Sequence, residues 1–307
     1  MRLARKERIL YEGNVQEVRL FKILIATCLC LFAGRAFQHL FQDIPIRTVL
    51  WNQRLMEGVV THILGMSWDS YVTDPSWDGR IQLPVRILGG LYVVCITVCI
   101  LLLSGKRKNL GAWLITGSVG LFLLAYLYFA EKFFRLGELM EYTAQWASPI
   151  FLYLFVYRRA TLPVLRLCMC LAVSLTFAGH GLYAIGFYPV PGHFIDMMIM
   201  TLHVQESTAV ILLNVAGWID LVIAVLIFIP YTSRYVALYA FVWGLLTALA
   251  RVWSNFDTGL VADSLYQWIP EVLYRAPHAL IPLAVYYMSS KLAAKTSAPA
   301  EPLPVNA

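Results

Sequence analysis

Charge is what this chain has least of. Of its 307 residues only 14% are Asp, Glu, Lys or Arg, whereas 60% are hydrophobic. A water-soluble domain carries about 25% charge, and a fold of this length could not cover its surface with so few ionic groups. Lipid removes that need, because apolar surface then faces a matching solvent. The chain also lacks a Gly-rich phosphate loop, a nucleophile elbow and zinc-type Cys/His spacing, so no motif fixes a reaction. It lacks a signal peptide of the usual form. The first apolar run starts near Leu20, is too long for a signal core and has no small-residue cleavage site after it, so it reads as a retained helix. Cysteine is sparse: Cys28, Cys30, Cys95, Cys99, Cys168 and Cys170 all lie in apolar runs. They read as small hydrophobes in helices rather than disulfides or metal ligands.

What the chain does have is long apolar stretches. A crossing of about 30 Å of hydrocarbon takes roughly 20 residues. Candidate spans are Leu20–Leu40, Val85–Leu103, Leu110–Ala130, Tyr142–Tyr157, Leu162–Phe187, Ser207–Ile229, Tyr235–Trp253 and Val272–Ser289. The fourth is short, and Pro149 is placed to kink it. The expected fold is an all-α polytopic membrane bundle of about eight transmembrane helices.

The net charge of +6 would suit nucleic acid, but the position of the charges argues against it. Arg2, Arg5, Lys6, Arg8, Arg19 and Lys22 precede or open the first span. Lys106-Arg107-Lys108, Arg158-Arg159 with Arg166, Arg234, and finally Lys291 and Lys295 follow at alternate connections. All fall on one side only if the number of spans is even. The positive-inside rule then places both termini in the cytoplasm, and the reading is a bacterial cytoplasmic (inner) membrane protein. Its partners would be the lipid bilayer and a membrane or periplasmic protein, with no nucleic acid.

The opposite side carries a long connection, residues 41–84, rich in Trp and Asp. An unstructured loop of that length is unusual, so an interfacial or re-entrant helix is expected around Thr48–Leu64. Trp51, Trp68 and Trp77 suit a headgroup belt. The domain reading is a cytoplasmic basic N-terminus over 1–19 and a first four-helix repeat over 20–160, with its insertion at 41–84. A second repeat covers 161–290, and a disordered cytoplasmic tail 291–307.

The repeat rests on ordered landmarks. "LFAGRAFQHLFQDIPIR" from Leu31 resembles "TFAGHGLYAIGFYPVPGH" from Thr176. "ILGGLYVVCITVCILLLSGKRKNLGAW" resembles "NVAGWIDLVIAVLIFIPYTSRYVALYAF", and "ELMEYTAQWASPIFLYL" resembles "WIPEVLYRAPHALIPLAVYY". Four helices per half means both halves enter the membrane the same way, a parallel duplication about an axis near the membrane normal.

Phe-x-Gly-His near the end of one helix, followed by a Gly-containing helix that ends in a short basic turn, resembles the four-helix DoxX-like membrane proteins. Residues 164–253 carry it best, in "FAGHGL", "NVAGWIDLVIAVLIFIP" and "SRYVALYAFVWGLLTALARV". The insertion after the first helix departs from that family's short pattern. "SRYVALYAFVWGLLTALARVWSN" also resembles the helical domain of vitamin K-dependent carboxylase-like proteins. The DoxX-like resemblance implies a fold and membrane redox chemistry, including quinone-linked sulfur oxidation.

Ionisable groups in hydrocarbon need a reason. All six histidines, His39, His62, His180, His193, His203 and His278, map to the non-cytoplasmic half, as do Glu131, Glu138, Glu141, Asp196, Glu206 and Glu271. This suggests a polar pocket opening outward, with Arg35, His39, Glu141, His180, His203, Glu206, Arg275 and His278 as its candidate residues. Arg35 and His180 hold equivalent repeat positions. Arg35 and His39, four apart, share a helix face. They either line a site for an anion, a quinone carbonyl or a carboxylate, or Arg35 pairs with a buried acid such as Glu141.

His193 with Asp196 and His203 with Glu206 are i,i+3 pairs that would suit a divalent metal or a proton relay if helical. Hydrogen-bonded interfacial groups are the blander explanation. Glu141 and Gln145 match Glu271 and Arg275, followed by His278, in the repeat, and an acid in a first helical turn is favoured by the dipole alone. Asp220, mid-helix near Asn214, must pair or stay protonated. Arg251 reads as an interfacial anchor. Haem would take two facing histidines, His180 with His39 or His278, a pairing chance supplies readily. A quinone is therefore the cofactor the pattern allows, ahead of metal or haem.

Three functions compete on these residues. The first is a redox-linked subunit with an outward pocket. The second is a small-molecule or lipid transporter. The third is a non-catalytic membrane scaffold.

Overall fold

The computed structural model describes residues 15–296, with the backbone alone over 290–296. The segment before Val15, the tail beyond Thr296 and the side chains of Lys291 and Lys295 lie outside the described residues. Everything described is helix and connection, with no strand among the described residues. The helices are α1 (Val15–Phe41), α2 (Arg47–Leu50), α3 (Gln53–His62), α4 (Trp68–Thr73), α5 (Ser76–Leu103), α6 (Gly111–Glu131), α7 (Leu136–Glu141), α8 (Thr143–Val156), α9 (Leu162–Ala184), α10 (Gly192–Leu202), α11 (Glu206–Leu226), α12 (Pro230–Ser254) and α13 (Val261–Thr296).

Each of the eight apolar stretches is helical. Six helices, α1, α5, α6, α9, α11 and α12, are long and apolar enough to cross a membrane, as a multi-pass membrane protein requires. α8 has only 14 residues. α13 has 36 but carries Pro270, Pro277 and Pro282.

The fourth stretch opens at Tyr142 as expected, with α8 following from Thr143 and running on through Pro149; two other boundaries differ from expectation. The expected Thr48–Leu64 helix is split at Trp51-Asn52 into α2 and α3. α5 begins at Ser76, before the apolar run at Val85, because its first turn has its own polar anchors. The Asp74 carboxylate accepts from the Ser76 amide and hydroxyl, both at 2.8 Å, and these bonds hold its pKa below the ordinary value. Arg47 donates to Asp78 and Asp43, tying α2 to that turn.

α3 buries only Val60, and Leu55 and the following Ile63 and Leu64 are exposed. Such an amphipathic helix is suited to the bilayer interface expected for it. A nitroxide on Leu55→Cys should therefore be relaxed more by lipid-soluble oxygen than by a water-soluble nickel chelate, with the opposite ranking on Arg54→Cys. Equal ranking at both sites would remove α3 from the interface.

α1 packs on α5, α8 and α13; α9 packs on α11, α7, α8 and α13; α6 packs on α8, α12 on α13, and α5 on α6 as α11 does on α12. The core fills the space between α1, α9 and α13 with Leu24, Ile25 and Phe32, Met169 and Val173, and Ile281 and Val285. The basic connections meet at one end. Arg158 bonds Glu17 at 2.6 Å, Tyr157 donates to Arg107 O at 2.9 Å, Arg166 bonds Ser233 and Ser289, and Arg234 bonds Tyr286. The six cysteines are free.

Candidate functional site

Two polar centres lie toward the opposite end, and glycines set both. A Cβ on Gly34 of α1 would stand 2.5 Å from Pro270 O and 2.7 Å from Tyr274 N of α13. One on Gly179 of α9 would stand 2.7 Å from Gly137 O and 2.9 Å from Glu141 N of α7. The absent side chains let backbones touch, and the residue after each glycine then faces the neighbouring helix.

After Gly34 comes Arg35, with no exposed surface. It donates to Gln38 Oε1 at 2.6 Å and to Gln145 Oε1 at 2.5 Å. Its guanidinium carbon lies 3.6 Å from the centroid of Tyr274, 5.5 Å from Tyr142 and 5.9 Å from Tyr128. The expected pairing of Arg35 with Glu141 is not formed. Amide oxygens and aromatic faces hold the cation instead, an arrangement that works in a dry site because ring quadrupoles need no desolvation of a second charge. His39 is 1% exposed and turns Nδ1 to Arg35 O at 2.7 Å. Arg35 and His39 belong to the packed core and line neither of the cavities described next.

After Gly179 comes His180. Its Nδ1 stands 3.0 Å from Glu141 Oε1, off the hydrogen-bond axis, and its ring lies 5.3 Å from that of His278. His180 and His278 form one wall of a chamber of about 1120 Å³ enclosed by α9 to α13, slightly above the ~300–1,000 Å³ usual for ligand pockets. The remaining walls are chiefly apolar, with Phe177, Met197, Met198, Leu213, Ala216 and Trp243. Leu246 and Trp253 line the chamber and are also exposed on the outside of the bundle, so it opens on its flank beside α12. One turn deeper on α9, α11, α12 and α13, Val173, Ile223, Ala240 and Ile281 are buried.

A second, more polar cavity of about 370 Å³ opens toward the end of the bundle and holds Glu131, Lys132, Glu138, Glu141, Asp196 and Glu271. Phe194, Met197, Met200, Arg251, Ser254 and Arg275 belong to both cavities and form the partition between chamber and vestibule. Glu141 faces the vestibule and His180 the chamber, so their contact also straddles it.

The chamber is short of partners. Asp220 (6% exposed), Arg251 (7%) and His278 (6%) line it, and Asp220 Oδ1, Arg251 Nε and His278 Nε2 have no hydrogen-bond partner. Arg275 Nε also has none. Arg251 does reach Glu271, at 3.1 Å, and His278 turns its other nitrogen to Arg275 O, at 3.1 Å. Buried polar atoms are nearly always satisfied, and with Thr201 Oγ1 five around this one cavity are not.

The structure thus gathers Glu141, His180, His203, Arg275 and His278 around the two cavities and leaves out Arg35, His39 and Glu206. His203 caps α10 in the left-handed region (φ 53°), and Glu206 opens α11. That pair therefore does not share a helix face, which removes the geometry a metal would have used. His193 and Asp196 are both on α10. Among the described residues no group of three or more His, Cys, Asp or Glu is placed to hold a metal ion.

Arg251 and Glu138, absent from the expected pocket, belong to these cavities, and Arg251 is no interfacial anchor. Its position at a helix end concealed that; its spacing of seven from Gly244, on the face that meets α13, was the available sign. No family model, no curated protein and no solved structure matches the chain.

Proposed function

We propose that the protein crosses a bacterial inner membrane eight times, with both termini cytoplasmic, as two parallel four-helix repeats. Its second repeat holds a lipid-soluble amphiphile in the chamber. The observation that carries the functional reading is the chamber itself: apolar walls, a side opening on the bundle flank and unsatisfied polar groups at one wall.

The repeat is supported by matching contacts. Gly34 meets Pro270 and Tyr274 as Gly179 meets Gly137 and Glu141, and Gly89 meets His39 and Leu40 as Gly217 meets Ala184 and Ile185. These contacts favour a register in which Arg35 matches His180, Glu138 matches Glu271, Tyr142 matches Arg275, Gln145 matches His278 and Pro149 matches Pro282. Glu141 then matches Tyr274 rather than Glu271. The neighbour pairs agree, α1–α5 with α9–α11, α1–α8 with α9–α13 and α6–α8 with α12–α13. Gathering of the basic connections at one end supports an even number of crossings.

A DoxX-like fold is consistent with this arrangement, and a quinone-like molecule is one occupant of suitable size. Transport would require the layer of Val173, Ile223, Ala240 and Ile281 to part.

The test is binding of methyl 10-(1-pyrenyl)decanoate, a neutral single-tail probe, to the full chain in nanodiscs, read by energy transfer from tryptophan. One saturable site is expected, lost in Ala216→Trp, which fills the chamber, while the unfolding temperature holds. Equal transfer in the wild type and Ala216→Trp would reject the chamber as a site.

A further inference from the structure

The two polar centres have the same plan but not the same balance. In the first, the cation is Arg35, which donates through both terminal nitrogens to two amide oxygens and lies against the faces of three tyrosines, leaving only its Nε unpartnered. In the second, the matching position is the smaller His180. The cation comes instead from the facing helix, as Arg275, at the place of Tyr142. Nothing accepts from it. Arg275 makes no side-chain hydrogen bond or ion pair among the described residues, and its Nε is buried and unpartnered.

None of the carboxylates nearby forms an ion pair with Arg275, and Glu141 Oε1 is itself without a hydrogen-bond partner. Glu271 is 3.1 Å from Arg251, Glu141 is 3.0 Å from His180, and Glu138 in the vestibule forms no ion pair with Arg275. Lys132 adds a further cation to the vestibule. A guanidinium without acceptors in a low-dielectric partition is costly, and the neighbouring Arg251 Nε is unpartnered too. Beside both arginines lie the apolar walls of the chamber.

From this we infer that the occupant of the chamber is an anionic amphiphile. Its carboxylate or phosphate headgroup is seated on Arg275 with Arg251 in the partition, and its hydrocarbon tail lies along Met197, Leu213 and Trp243. Arginine suits this role because its planar fork binds both oxyanions in two-pronged fashion. Headgroup exchange would proceed through the vestibule, and tail entry through the flank. The inference rests on the chamber reading above and adds the sign of the headgroup.

Its test uses one tail with two headgroups. In nanodiscs of zwitterionic lipid the free acid, 10-(1-pyrenyl)decanoate, is expected to bind about 10- to 100-fold more tightly than its methyl ester, the range a charge-assisted hydrogen-bonded pair provides. Arg275→Gln should erase that preference, and Arg275→Lys should restore part of it. Decyl phosphate should displace the acid at concentrations where inorganic phosphate and acetate do not, which separates a tailed anion from a free one. Decylubiquinone, a neutral competitor, should displace it poorly. Equal affinity for acid and ester in the wild type, a measurement that needs no variant, would overturn the anionic headgroup and leave the chamber standing. So would displacement by decylubiquinone as effective as by decyl phosphate. Displacement by inorganic phosphate at equal concentration would overturn the tailed ligand. Absence of binding by both acid and ester would instead reject the chamber.

Discussion

Arg35→Ala should cost about 3–5 kcal/mol of folding stability, the range for removing a large buried side chain and for leaving buried polar partners unpaired. The guanidinium connects three helices: it sits on α1, bonds Gln145 of α8 and lies against Tyr274 of α13. Removing it leaves Gln145 Oε1 without its donor and opens a void among Tyr128, Tyr142 and Tyr274. His180→Ala should cost less than half as much, because His180 already faces an open chamber and its contact with Glu141 is off axis. Urea or SDS unfolding in detergent micelles, followed by tryptophan fluorescence, measures both. Equal losses would mean that the two centres are alike in function. A stable Arg35→Ala protein would mean that the desolvation cost of the cation cancels its contacts.

Gly244→Ala is expected to be among the most damaging of single-methyl additions. Its Cβ would stand 2.4 Å from His278 O and 2.7 Å from His278 C, backbone atoms that cannot rotate away. Relief requires α12 to move off α13, the most extensively packed pair in the molecule. A loss of about 3 kcal/mol or more is expected, at the upper end for overpacking. The shift would also carry Arg251 away from Glu271 and deform the chamber, so probe binding should fall with stability. Gly90→Ala is the control. A Cβ there meets nothing within 4 Å, and the change should stay within about 1 kcal/mol, the helix-propensity difference between the two residues. Comparable losses at both positions would show that the α12–α13 approach is looser than its glycine implies.

Legibility varied with the range of the interaction. The six long spans could be read because each is a property of some twenty consecutive residues. The short α7 ahead of Tyr142 could not, because its six residues are too few to show a helical period. Glu141, His180, Arg275 and His278 were singled out as polar groups on the apolar, non-cytoplasmic side, and all four border the cavities. Arg35 looked like their equal. It is not, because Gln145, 110 residues away, and Tyr274 close around it. Arg251 looked like an anchor because half of its setting comes from α13.

By itself the sequence determined the membrane class, the helical segments and the placing of lysine and arginine at alternate connections. All of these follow from hydrophobic length and local composition, sums that run along the chain. Only the tertiary structure decided that Arg35 is packed against Gln38, Gln145 and three tyrosines while His180 borders an open chamber. Whether a buried charge finds partners depends on atoms brought together from several helices.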